Sequence, residues 1–316
     1  MNQNTSSIIM IRPKHFDFNK ETASNNYFQK EDKSISKNEI RNKAVNEFES
    51  LTTLIESRGI EVIVFDDRDD VITTDSVFPN NWVSFHENGN VFIYPMFSKN
   101  RRKEKRLDIL EELNKKGYLI NKTVDLSKYE IENRFLEGTG SMVLDRENKI
   151  CYAAISERTD IDILSEFCSK NKYEKIAFRS YQTIGSERKE IYHTNVIMCV
   201  ADKYSIVCLE SIDDIKEKKK VINKLEATNK KIIEITESQC NNFAGNMLQL
   251  KNNKNEKFLI MSRSAYDSLS EDQIRTIRTY NEIIYSDIKT IEKLGGGSAR
   301  CMIAENFLRK NKNIKL

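Results

Sequence analysis

The 316-residue sequence holds only one tryptophan, three prolines and three histidines, and it has no long apolar run. Ile8-Ile-Met-Ile11 is far too short for a membrane span or the apolar centre of a leader, and Met1 to Ser7 is polar. Neither a secretory leader nor a membrane role is therefore expected. No sign of charge dominates, because 51 basic and 48 acidic residues are mixed along the chain and leave +3. That balance argues against a nucleic-acid partner or a membrane surface, which usually meet a one-sided patch. The Lys-rich stretches 216–220 and 251–257 read as solvated faces and loops. Six cysteines, at 151, 168, 199, 208, 240 and 301, form no CxxC pair and no Cys/His cluster. A disulfide framework and a zinc site are both excluded by that spacing, and a cytoplasmic protein with reduced thiols is expected. Cys199 and Cys208 lie in apolar strand-like runs and read as core.

What is present is a regular succession of elements. Strand Ile8–Ile11, helix Lys37–Arg58 and strand Glu61–Phe65 come first, the helix carrying Ile40, Ala44, Phe48, Leu51 and Ile55 on one face. Short strands at 81–85 and 91–94 flank a turn at Glu87-Asn-Gly-Asn90. The block then recurs in outline: helix, strand, loop, two-stranded hairpin. The expected helices are 102–116, 160–172, 212–228 and 271–280. The strands that follow them are 123–126, 175–178, 231–235 and 283–286. The hairpins pair 140–144 with 150–154, 196–200 with 204–209, and 247–250 with 258–261. Each cycle takes roughly 50 to 65 residues, so about five fit the chain. An ordinary doubly wound sheet would give the same order of elements. If the units instead surround a pseudo-axis, the loops before the hairpins converge on one centre.

Those loops carry the unusual polar residues: Asp75 with Asn80-Asn81, Glu137-Gly-Thr-Gly140, His193-Thr-Asn195, Asn241-Asn242 with Gly245-Asn246, and Gly295 to Cys301. Three consecutive glycines before Cys301 place a thiol on a turn where small substrates and backbone N–H donors can reach it. A helix-capable apolar run, Met302 to Leu308, follows. A lone cysteine beside a flexible turn is more often structural. His193, at the mouth of a strand, supplies a group that titrates near neutral pH, and Glu137 could orient it. His15 and His86 sit in polar loop or turn contexts and are assigned no role.

Taken in order, Thr74-Asp-Ser-Val-Phe-Pro-Asn-Asn81, Leu136-Glu-Gly-Thr-Gly140, Tyr192-His-Thr-Asn195 and Gly295-Gly-Gly-Ser-Ala-Arg-Cys301 resemble the guanidine-modifying (amidinotransferase) superfamily. That group includes arginine deiminases and dimethylarginine dimethylaminohydrolases, and the nearest resemblance is to its citrulline-utilisation hydrolase, or arginine deiminase-related, branch. It extends from Ile11-Arg-Pro13 to Leu308. The resemblance implies an α/β fold, a five-bladed α/β-propeller (pentein) with pseudo-five-fold repeats, forming a single hydrolase domain over residues 1–316. It implies a Cys301–His193–Glu137 catalytic site that needs neither metal nor organic cofactor, and a small amino-acid substrate. An oligomer is compatible with it. Arg101 and Arg158 fall where dimethylarginine hydrolases hold the substrate α-carboxylate, with Arg102 able to replace Arg101; Asp75 would meet the α-amino end.

The departures from that pattern bear on the substrate. Deiminases usually have aspartate where this chain has Asn81, and arginine deiminases have His-x-Asp where it has His193-Thr-Asn195. A guanidinium is cationic and offers only donors, whereas a ureido group is neutral and offers one carbonyl acceptor beside its N–H donors. Amides suit the second better. The expected reaction is hydrolysis of L-citrulline to L-ornithine, carbon dioxide and ammonia through an S-carbamoyl-cysteine, with Asn81 and Asn195 at the oxyanion. An arginine deiminase or dimethylarginine dimethylaminohydrolase that yields citrulline is the alternative, and a non-catalytic ligand-binding propeller is a further one.

Overall fold

The computed structural model describes residues 2–311 and has a mixed α/β fold. Five of its sheets have three strands and share one design, an antiparallel pair followed by a parallel third strand. In the first unit Ser7–Arg12 pairs antiparallel with Ala304–Glu305 and parallel with Glu61–Asp66. The second joins Val83–Phe85, Asn90–Ile93 and Lys122–Asp125, and the third joins Val143–Asp145, Ile150–Ala154 and Glu174–Phe178. The fourth is built from Met198–Val200, Tyr204–Val207 and Lys231–Glu234, the fifth from Leu248–Lys251, Lys257–Ser262 and Glu282–Ser286. A parallel neighbour demands a crossover, and each unit uses helix for it. The crossover helices include Lys37–Glu56, Leu107–Lys115, Ile161–Asn171, Ile215–Ala227 and Glu271–Arg278.

Local chemistry explains where these helices begin. Ser36 accepts from the Glu39 N–H, Asp160 from Asp162 and Ile163, and Asp214 from Lys216 and Glu217. Ser270 and Gln273 close a reciprocal capping box. On the first helix Ile40, Ala44, Phe48, Leu51 and Ile55 are all buried, which is the face the spacing predicts. Cys199 and Cys208 are likewise buried in the core, and all six cysteines are free.

Three expectations are corrected. Met302–Leu308 forms no helix; Met302 ends a turn, and the short strand Ala304–Glu305 pairs with Ile8–Ile9. An open ladder on the Ser7–Arg12 strand outweighs helix propensity there. The strands expected from 81, 140 and 196 begin later, because single helical turns occupy Pro79–Asn81, Gly138–Ser141 and Thr194–Ile197. Pro79 favours the first of these by its fixed φ, and Gly138 enters the second at φ +46°. The turn at Gly138–Ser141 packs on the other two, so three units meet where their site residues lie. A hairpin of Tyr181–Ile184 and Glu187–Glu190 lies outside the five-unit scheme. Its residues, Tyr-Gln-Thr-Ile and Glu-Arg-Lys-Glu, show no apolar alternation to announce it.

Among the described residues no helix is long and apolar enough to cross a membrane. His86, expected in a polar turn, is buried with its ring against Phe92 and Phe167 and its Nε2 2.8 Å from Ser84 Oγ.

Candidate active site

The glycine turn follows a helix, Lys289–Gly295, that ends with Gly296 at φ +63°, a left-handed cap a side chain would strain. A Cβ on Gly296 would also lie 2.4 Å from Gln29 Cγ and 2.5 Å from Asn26 Nδ2. The turn delivers Cys301 to a narrow pocket whose wall includes Thr22, Asp75, Asn81, Arg101, Arg158, Tyr192 and His193. Cys301 Sγ receives two side-chain amide donors, Asn195 Nδ2 at 3.4 Å and Asn246 Nδ2 at 3.3 Å.

His193 Nε2 lies 2.7 Å from Glu137 Oε2, and both residues are buried. Burial alone would raise the Glu137 carboxyl; Arg158 at 3.4 Å, the His193 hydrogen bond and Arg101 together hold it well below the usual carboxylate range. Burial pushes His193 down to about 4, against the hydrogen bond and charge of Glu137, which raise it. The resting pair is therefore a carboxylate and a neutral imidazole. Nε2 carries the proton donated to Glu137, which leaves Nδ1 as the basic nitrogen. The Phe97 N–H donates to Glu137 Oε1 at 2.9 Å and fixes the carboxylate plane.

Arg101 is buried and held by Glu104, with Nε 3.0 Å from Oε1 and Nη2 2.9 Å from Oε2. Its Nη1 donates to Asn81 Oδ1 at 2.9 Å, and Nη2 also reaches the Phe78 carbonyl at 3.3 Å. Arg102 points elsewhere, donating to the carbonyls of Met96 and Phe97, and does not line the pocket. Arg158 lies over the Tyr192 ring at 4.8 Å and donates to Asn25 Oδ1 and the Thr22 carbonyl. Asp75 Oδ2 accepts from Asn19 Nδ2 at 2.7 Å, and burial raises its carboxyl against the charge of Arg101.

The structure thus brings Cys301, His193, Asn81, Arg101, Arg158 and Asp75 to the wall of one pocket, with Glu137 bonded to His193 and Asn195 to Cys301 just outside that wall. Three buried polar atoms there have no hydrogen-bond partner among the described residues: Asp75 Oδ1, Asn81 Nδ2 and Asn195 Oδ1. Buried polar atoms left in that state are expected to be satisfied by a ligand or water. Sequence reasoning passed over Asn246, Glu104 and the segment Asn19–Asn26. Gly245-Asn246 stood among the pre-hairpin loops, but a Gly-Asn pair is also an ordinary turn signal. Glu104 is visible only once a helical turn places it three residues after Arg101. No group of three or more His, Cys, Asp or Glu among the described residues is placed to hold a metal ion. Larger surface hollows near Arg58 and Glu282 and near Tyr27 and Phe243 contain none of the site residues.

The family model for eukaryotic N,N dimethylarginine dimethylhydrolase matches residues 12–308. The chain belongs to this family. It is thereby a member of the guanidine-modifying pentein superfamily and homologous to its C–N hydrolases. No curated protein matches the sequence. Among solved structures, apo ArgZ, an arginine dihydrolase of the ornithine-ammonia cycle in cyanobacteria, is similar at TM-score 0.72 and 18% identity. That match covers 94% of this chain and 40% of ArgZ, so this family member spans well under half of the longer protein. The ArgZ N-terminal domain, covalently bound to a reaction intermediate, matches at TM-score 0.70 and 18% identity over 96% of this chain and 99% of that domain. The dimethylarginine hydrolase DDAH of Pseudomonas aeruginosa, complexed with citrulline, matches at TM-score 0.64 and 15% identity, covering 96% and 99%. At these identities the likeness is one of fold.

Proposed function

We propose that this protein is a cysteine hydrolase of the ureido group of L-citrulline, giving L-ornithine, carbon dioxide and ammonia. The observation that carries the substrate assignment is the orientation of Asn81. Because Arg101 donates to Oδ1, the other terminus of the amide is NH2, and that Nδ2, on a residue that lines the pocket, has no partner. A ureido carbonyl satisfies such a donor; a guanidinium, which has only N–H groups, leaves it unpaired. Asn195 offers the complementary unpaired acceptor, Oδ1, to a ureido N–H. The two side chains that donate hydrogen bonds to Cys301 Sγ are amides, in keeping with a neutral reacting group.

In this reading the Cys301 proton passes to His193, and Sγ attacks the ureido carbon. The adduct collapses as His193 returns a proton to Nδ of the substrate, which leaves as ornithine, and an S-carbamoyl enzyme remains. Water, deprotonated by His193, displaces Sγ and releases carbamate, which breaks down to carbon dioxide and ammonia. Glu137 holds the ring and stabilises its protonated form, and the Asn81 NH2 meets the developing oxyanion. Arg158, with Arg101 beside it, takes the α-carboxylate, and Asp75 Oδ1 takes the α-ammonium. The five sheets are five blades about a pseudo-five-fold axis within one domain spanning residues 1–316. Pairing of the first and last strands, and contacts between leading strands of adjacent units, support this. The six free thiols suit a cytoplasmic setting, and the reaction as written draws on no cofactor.

A second reading takes arginine itself as the substrate. It is favoured by the buried Asp75 carboxylate, whose free oxygen could pair with a guanidinium, and by the fold shared with an arginine dihydrolase. Incubation with L-citrulline, L-arginine and dimethylarginine, read by mass spectrometry with a Cys301→Ala blank, decides between them. Ornithine from citrulline alone supports the ureido reading. Ornithine or citrulline from arginine, at a higher kcat/KM than turnover of citrulline, replaces it with the guanidino reading.

A further inference from the structure

Asn246 lies on the loop before the fifth sheet and is fully buried. The loop is pressed onto the fourth unit: a Cβ on Gly245 would come within 2.2 Å of the Val196 carbonyl. Every hydrogen-bonding atom of the Asn246 amide has a defined partner. Its Oδ1 accepts the Arg300 N–H at 3.1 Å, which identifies the other terminus as NH2. That NH2 donates to the Asn195 carbonyl at 2.9 Å and to Cys301 Sγ at 3.3 Å. One side chain therefore grips the residue before the thiol, the thiol itself, and the backbone of the second amide that touches it. Asn195 also donates to Sγ, but its own Oδ1 has no partner, so nothing else fixes that amide.

We infer that Asn246 is a catalytic residue, a pre-set N–H donor that stabilises Cys301 sulfur as thiolate and again when it leaves the acyl adduct. The inference rests on Cys301 being the nucleophile. Sulfur gains negative charge when its proton goes to His193 and when the adduct breaks. A donor fixed on it beforehand needs no reorganisation at either moment. The two bonds from Asn246 to backbone groups hold that donor in place. Amide chemistry matters here: an aspartate would keep the acceptor for Arg300 but would turn a carboxylate oxygen toward the sulfur.

The test is iodoacetamide alkylation of Cys301 at pH 7, followed by peptide mass mapping, in the parent, Asn246→Asp and Asn246→Ala. It needs no knowledge of the substrate. In the parent, Cys301 should react much faster than the other five cysteines. In both variants its rate should fall about tenfold or more, in line with the loss of a thiolate donor, with Tm and the other thiols little changed. Whichever variant keeps its fold suffices. Unchanged alkylation of Cys301 in a folded variant overturns the role of Asn246 and leaves the nucleophile standing. No preference for Cys301 in the parent overturns the nucleophile assignment, and this inference with it.

Discussion

Arg101 and Asn81 are joined by one hydrogen bond, Nη1 to Oδ1 at 2.9 Å, and it fixes which end of the Asn81 amide is left without a partner. Asn81→Asp keeps the acceptor for Arg101 and replaces the unpaired donor with an acceptor. The ratio of kcat/KM for arginine over citrulline should rise about tenfold or more, since a site built for one hydrogen-bond pattern rejects its complement. Steady-state kinetics on both substrates checks this, and a ratio within twofold of the parent would remove Asn81 as the selector.

Glu137 serves three donors at once: the Phe97 N–H, His193 Nε2 and Arg158 Nη1. Glu137→Gln retains the shape, removes the charge and aims an NH2 at one of those donors. The imidazole then loses both its orientation and the anion that stabilises its protonated form. kcat should fall by roughly 100- to 10,000-fold, with a smaller change in KM. A kcat within threefold of the parent would show that the pair does not act in turnover.

The convergence of much of this candidate site was legible in the sequence because its residues lie in loops of characteristic composition that recur at similar points in successive units. Cys301, His193 and Glu137 are of that kind. What could not be read depends on partners distant in sequence. The Met302–Leu308 run is helix-capable by itself, and its Ala304–Glu305 segment becomes strand by pairing with Ser7–Arg12. The resemblance implies a carboxylate clamp at Arg101, but not that Glu104 and Asn81 hold its guanidinium. Asn246 gains its meaning from Arg300 and Asn195, residues about fifty positions away. The five-unit order was clear from periodicity, whereas the polar hairpin at Tyr181–Glu190 had none to show.

The buried His193 makes stability depend on pH in a defined direction. Its folded pKa of about 4 lies below the ordinary 6.5, so between those values the unfolded chain binds a proton the folded chain refuses. Stability should therefore fall as pH drops from 6.5 to 4, by an amount on the order of 3 kcal/mol from this group. Glu137 is lowered instead; its contribution is present above the ordinary carboxylate range and is lost as pH falls through its own depressed value. The two windows adjoin and act in the same sense. His86, also pushed down by burial, adds to the upper one. Calorimetry from pH 7.5 to 4 should show Tm falling in the parent and falling less in His193→Gln. Parallel curves would mean that His193 does not titrate as described.

Two glycines separate the geometry of the site from the stability of the chain. Gly140 has ordinary backbone angles, but a Cβ there would lie 2.4 Å from Asn81 Nδ2 and 2.7 Å from His193 Nδ1. Gly185 has nothing within 4 Å of such a Cβ but sits at φ +63°. Alanine at the first position is compatible with the backbone and displaces the selector amide and the base. Alanine at the second displaces nothing and strains the backbone by about 1 kcal/mol. Gly140→Ala should lower kcat at least tenfold, since small misplacements of reacting groups are costly. Gly185→Ala should leave kcat unchanged and lower Tm by a few degrees. Kinetics and melting on the two variants form one experiment. If Gly140→Ala retains full activity, Asn81 and His193 are not held in the arrangement on which the proposed chemistry depends.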